Sequence, residues 1–186
     1  MSDWLSLNIT SLLSILVALG GLLALLREYH RSNGIKRAEF VDKLIEKLRG
    51  DEDIRYILYL FQYGDFVYDG TFHGDVEMER RVDKALSYLS YICYLKDNGV
   101  ISDKDFSFFE IEVAQALRNS ALIDYLFNLY HFECRASGIK PDSRKGEEQF
   151  TFYFLLKYGR VHKIVGKEFY NPGAVESGAF HRYLNF

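Results

Sequence analysis

The sequence predicts an all-α protein: an N-terminal transmembrane helix followed by a compact antiparallel helical bundle. Three observations carry that expectation. An uncharged apolar run stands near the start, apolar residues after it recur at helical spacing, and only two prolines, Pro141 and Pro172, interrupt 186 residues. With 48% hydrophobic and 16% aromatic residues, the chain has material for a real core, which excludes a disordered protein. The formal net charge of -3 provides no basic field of the kind nucleic-acid binders use, so nucleic acid is not an expected partner.

The apolar run extends from Ile9 to Leu26 and holds eight leucines, two isoleucines and a valine without a charge. At a helical rise it covers roughly 27 Å, and about 35 Å if extended back to Trp4, enough for a hydrocarbon layer. Each strong apolar residue favours insertion by about 0.3–0.6 kcal/mol at mid-membrane, which outweighs Thr10, Ser11, Ser14, Gly20 and Gly21. A core helix of this length would show a polar face, and the run has none. A secretory signal would need positive charge ahead of it, where only Asp3 is charged.

Arg27, Arg31, Lys36 and Arg37 follow the run, and no Lys or Arg precedes it. The positive-inside rule therefore places the N-terminus outside and the remainder in the cytoplasm, with the cell inner membrane as location. Ser11, Ser14, Ala18 and Gly21 line one side of the helix, a candidate seam for close packing against a second membrane helix. Small residues are also simply common in membrane helices.

The segments divide as 4–32 for the membrane helix and juxtamembrane turn, 34–165 for a cytoplasmic helical domain, and 166–186 for an irregular aromatic-rich tail. Asn33-Gly34 reads as the break. Val41, Leu44, Ile45 and Leu48 then mark an amphipathic helix that Arg49-Gly50 can end. Asp51 and Asp53 are caps for a second helix with Ile54, Ile57, Leu58 and Phe61 inward. A glycine-rich loop covers 63–75. The longest helix follows, with Val82, Leu86, Leu89 and Cys93 as its buried stripe and Asn98-Gly99 as its stop.

Ser102 and Asp105 resemble a capping pair opening a helix that carries Phe106, Phe109, Val113 and Leu117 inward. Asn119 starts another, with Leu122, Ile123, Leu126, Phe127 and Tyr130 along one side. A polar connection, "GIKPDSRKGEEQ", leads to "FTFYFLLKYG", which period alone leaves open between helix and strand. Cys93 and Cys134 sit in apolar helical patterns, which suits buried, reduced thiols rather than a disulfide.

The stretches "REYHRSNGIKRAEFVDKL" and "EMERRVDKALSYLSYICYLKDNGVIS" are similar to an uncharacterised bacterial single-pass membrane family, the domain of unknown function numbered 4760. The likeness covers about residues 9 to 135, and the tail after Gly159 has no counterpart. It implies one N-terminal membrane helix and a helical cytoplasmic domain, and no established activity.

For chemistry, Glu79 and Asp83 share a helix face and are candidates to hold a cation, although Arg80 and Lys84 beside them suit an ordinary solvated face. Arg118, next to Asn119 at a helix junction, completes a candidate polar cluster. His73, Asp75 and Glu77 alternate in "HGDVE", where Asp75 is better placed as a cap than as a ligand. No histidine pair at helical spacing, no phosphate loop and no hydrolase elbow occurs, so neither a catalytic residue, a metal nor a cofactor is expected. "KYGRVHKIVGK" gathers basic residues that suit an anionic leaflet, with nucleic acid as the rival partner because aromatics are interleaved, although ordinary surface charge accounts for them as well. Fourteen tyrosines and fifteen phenylalanines exceed what so small a bundle buries easily, which predicts an exposed aromatic surface. The expected function is a membrane-anchored, non-catalytic interaction, scaffold or sensor module, binding the membrane, itself or another protein. The alternative is a membrane-tethered effector enzyme.

Overall fold

The computed structural model describes the backbone of residues 2–186 and the side chains of residue 22, residues 25–29 and residues 31–186. Two compact units divide the chain, Met1–Leu44 and Ile45–Phe186. Among the described residues there are eight α-helices and no strand, so the all-α class holds.

The first unit is helical, carried by α1 (Ser2–Gly50). The expected break at Asn33-Gly34 is corrected here, since both residues are helical. A lone glycine costs a helix only about 1 kcal/mol, and the Lys, Arg, Ala and Glu that follow are good helix formers. Leu22, Leu25, Leu26 and Tyr29 are exposed. Among the described residues no helix is long and apolar enough to cross a membrane. Most side chains of the run expected to do so, with its seam of Ser11, Ser14, Ala18 and Gly21, lie outside the described residues.

The second unit forms a helical bundle on its own. α2 (Glu52–Tyr63) begins at Asp51, whose carboxylate accepts the Ile54 amide at 3.3 Å, and buries Ile54, Ile57 and Phe61. Asp53 falls in the first turn instead of capping. The loop through residue 75 contains a 3-10 turn, Phe72–Gly74. α3 (Val76–Asp97) is capped by Asp75, which accepts from Met78 N at 3.0 Å, and buries Val82, Leu86, Leu89 and Cys93.

α4 (Asp103–Phe106) and α5 (Glu110–Arg118) replace the one helix expected there. The capping box of Ser102 and Asp105 forms, but it closes a single turn. The Ser107 hydroxyl donates back to Lys104 O at 2.7 Å, so the side chain competes with the helical ladder, and the chain turns to bury both Phe106 and Phe109.

α6 (Ser120–Ala136) starts at Asn119, which accepts the Leu122 amide at 2.9 Å and donates to Phe61 O at 3.3 Å. α7 (Arg144–Gln149) is a short helix within the expected polar connection, capped by Ser143. The ambiguous aromatic run is helical: α8 (Tyr153–Val161) buries Leu155, Leu156 and Tyr158. α3 is the organising element, packed against α2 and α8, while α5 joins α2 to α6. Lys167–Tyr170 and Pro172–Val175 are 3-10 turns, and Phe169 between them and the core is fully buried. Cys93 and Cys134 are buried and unpaired.

Candidate functional site

Helical spacing places Glu79 and Asp83 one turn apart on α3, and the loop before α3 supplies what they meet. Glu79 Oε1 lies 2.7 Å from His73 Nδ1, and His73 Nε2 lies 3.0 Å from the Tyr68 hydroxyl. A carboxylate only accepts, so Nδ1 carries the proton and, in the neutral ring, Nε2 accepts from Tyr68. Asp83 takes a separate partner, the Tyr125 hydroxyl of α6, which donates to Oδ1 at 2.6 Å. The two pairs are joined by rings, because His73 stacks on Tyr125 with centroids 6.0 Å apart.

Burial is the main influence on Asp83 and on the two phenols. It raises the Asp83 pKa; the Tyr125 hydrogen bond opposes that, Glu79 adds to it and His73 opposes it. It also pushes both phenols, Tyr68 and Tyr125, far above their ordinary range. Asp83 is therefore not on a solvated face, contrary to expectation; it faces α6. The arrangement holds a histidine between a carboxylate and a phenol. Among the described residues no three His, Cys, Asp or Glu side chains are grouped to hold a metal ion.

Arg118 does not join this cluster. Its exposed side chain lines a separate concavity of about 430 Å³ with Gln62, Tyr63, Gln115 and Ser120, and it forms no hydrogen bond or ion pair among the described residues. Arg80 and Lys84 turn toward α2 instead. Lys84 bridges Asp51 and Asp53 at 2.8 Å each, and Arg80 reaches Asp53 at 3.5 Å while also pairing with Glu77 of its own helix at 2.9 Å. Burial alone would raise Asp51, but hydrogen bonds from Lys47 and Lys84 hold it well below the usual carboxylate range.

Among the described residues the aromatic surplus reaches the surface singly at Tyr29, Phe108 and Phe132 and in two groups. Tyr56, Tyr59 and Tyr63 occupy the outer face of α2. Tyr91 and Tyr94 of α3, 45% and 39% exposed, stack at 6.2 Å, and Tyr94 meets Phe154 of α8 edge-on at 4.9 Å. Beside Phe154 a cavity of about 160 Å³ opens between the two helices, with Cys93, Tyr158 and Val161 among its walls. Lys96 and Lys157 stand over it, the latter 2.7 Å from Asp97.

The basic stretch is spread over several surroundings. Lys157 pairs with Asp97, Arg160 with Glu147, and His162 stacks on Tyr158 at 4.1 Å. Lys163 and Lys167 line a second cleft with Arg160.

Sequence reasoning missed the tail's anchor, Asn128. This fully buried residue accepts the Tyr183 and Leu184 amides at 2.6 and 2.9 Å and donates to His181 O at 2.7 Å. The signal was there: a polar residue on the apolar face of "LIDYLFNLYHF". Fold and site together define a helical bundle with a braced polar centre and an aromatic surface. No protein-family model matches the chain, and neither a curated protein nor a solved structure does.

Proposed function

We propose that the chain is a membrane-anchored, non-catalytic interaction module, whose second unit engages another polypeptide in the cytoplasm. The observation carrying this reading is the contiguous patch of Tyr91, Tyr94 and Phe154 beside the cavity floored by Cys93. Exposed aromatic area of this kind, next to a cavity with room for one large side chain, is the usual core of a protein contact. The anchoring half rests on the uncharged run from Ile9 to Leu26 and on exposed Leu22, Leu25 and Leu26. Self-association through Ser11, Ser14, Ala18 and Gly21, an outside N-terminus in the inner membrane, and the likeness to the uncharacterised single-pass family belong to the same proposal.

The test is gentle extraction of the full chain from its native membranes, followed by the mass and composition of the particle. A second protein at fixed stoichiometry, lost on Tyr91→Ser with Tyr94→Ser while the helical content stays, supports the reading. Recovery in the soluble fraction removes the anchor. Loss of biological function on Glu79→Gln or Asp83→Asn, with the particle intact, favours the effector-enzyme alternative.

A further inference from the structure

Three helices of the second unit end in the same hydrogen-bonded motif. After α3, Val100 N–H reaches Leu95 O at 2.9 Å and Gly99 N–H reaches Lys96 O at 3.0 Å. After α6, Ile139 and Gly138 repeat it on Cys134 and Arg135 at 2.8 and 3.0 Å. After α8, Ile164 and Lys163 repeat it on Gly159 and Arg160 at 2.8 and 3.1 Å. The turning residue is left-handed each time, with φ 68° at Gly99, 65° at Gly138 and 57° at Lys163. Among the described residues Lys163 is the only non-glycine with a positive φ. Its Cβ makes that conformation unfavourable, and as an exposed residue it gains no core packing in return. Strain kept at an exposed cation directs attention to what the cation faces.

Lys163 faces a cleft of about 450 Å³, lined also by Glu147, Arg160, Val165, Lys167 and Tyr170. That volume lies in the range of small-molecule sites. Gly159 lets the chain fold back this way, since a Cβ there would stand 2.7 Å from Val165 Cγ2. Of the three cations, Arg160 is paired with Glu147, the one carboxylate among the lining side chains, while an oxygen of the Glu168 carboxylate stands against Gly166 of the same wall. Lys163 and Lys167 have no ion pair among the described residues. The Tyr170 hydroxyl stays protonated, its pKa pushed up to about 12 by burial and then by Glu147, so it remains a donor. Val165 and the Tyr170 ring supply an apolar wall.

We propose that this cleft binds a phosphomonoester carried on an apolar or aromatic body. The phosphate, with a charge of about -1.5 to -2 at neutral pH, meets Lys163, Lys167 and the edge of Arg160, and the body lies on Tyr170 and Val165. A soluble metabolite and a lipid headgroup share this chemistry. The site is independent of the aromatic patch and of the membrane reading.

The test is calorimetric titration of the full chain with phenyl phosphate, inorganic phosphate, phenol and dihexanoyl phosphatidic acid. Phenyl phosphate is expected to bind more tightly than inorganic phosphate or phenol. Lys167→Ala and Lys163→Gly are each expected to weaken it about tenfold, the loss of one charge-assisted contact. Lys163→Gly is expected to raise the melting temperature at the same time, because glycine suits the turn. Tighter binding of the short-chain lipid than of phenyl phosphate assigns a headgroup, and the reverse order assigns a soluble ligand. Binding unchanged in both variants, phenol binding as tightly as phenyl phosphate, or no phosphate saturating below about 10 mM overturns the proposal.

Discussion

The Tyr125 hydroxyl donates to Asp83 Oδ1 at 2.6 Å, tying α6 to the middle of α3 across 42 positions of sequence. Asp83 is half-buried there, and its folded pKa lies above the ordinary 3.8. A carboxylate raised by folding binds its proton more tightly in the native state. Its favourable contribution is complete below pH 3.8 and is lost as pH rises through the raised value. At neutral pH the charge therefore opposes the fold. Asp83→Asn, which keeps an acceptor for Tyr125, is expected to melt higher than wild type at pH 7, with the gap closing by about pH 3. Tyr125→Phe leaves the carboxylate without its donor and is expected to cost about 1–3 kcal/mol in urea unfolding at pH 7. A lower melting temperature for Asp83→Asn at pH 7 would show that the fold needs the charge.

His131 is buried among Phe127, Tyr130 and Phe186, with Nε2 donating to Phe169 O at 2.9 Å and Nδ1 without a partner. Burial lowers its pKa below 6.5, and the Phe169 hydrogen bond offsets only part of that. The unfolded chain then binds the proton more readily, so stability falls as pH drops below 6.5. His131→Leu is expected to flatten the fall of the denaturation midpoint below pH 6.5, while losing about 1 kcal/mol at pH 8 for the orphaned carbonyl. An unchanged pH slope counts against this assignment.

Asn128 holds the tail through three backbone groups of His181, Tyr183 and Leu184. Asn128→Ala is expected to release that segment at a cost of about 2–3 kcal/mol, since the freed amides regain water. Hydrogen exchange reads this directly: the Tyr183 and Leu184 amides lose protection while those of α3 keep it. Protection retained at Tyr183 would mean that Phe180 and Phe186, packed on Phe127, suffice to hold the tail.

Gly159 is buried, and a Cβ there meets Val165 Cγ2 at 2.7 Å and Leu117 Cδ1 at 3.2 Å. Gly159→Ala improves helix propensity yet overpacks two branched side chains, so the expected net effect is a loss of about 1–3 kcal/mol. A gain in melting temperature would show that Val165 swings away freely, and with it one wall of the phosphate cleft.

Most helix boundaries were legible because the groups that set them are close in sequence. Asp51, Asp75, Ser102 and Asn119 each accept an amide three residues along, inside one short window. Buried stripes were legible for a similar reason: Val82, Leu86 and Leu89 recur with the period of the helix that buries them. Two boundaries differ from the local pattern where neighbouring signals conflict. At Asn33-Gly34 a break signal yields to strong helix formers, and at Ser107 a hydroxyl bonding backward interrupts a pattern that otherwise continues.

The sequence by itself determined the all-α class, the caps, the inward faces and the presence of an aromatic surplus, because each rests on spacing along one chain segment. Only the tertiary structure decided that Glu79 meets His73, that Asp83 meets Tyr125 while Arg118 stands apart, and that Lys163 and Lys167 converge on one cleft. Helical periodicity selects the face a residue occupies. Which neighbour that face meets depends on how elements far apart in sequence pack, and the 3.6-residue period carries no record of that.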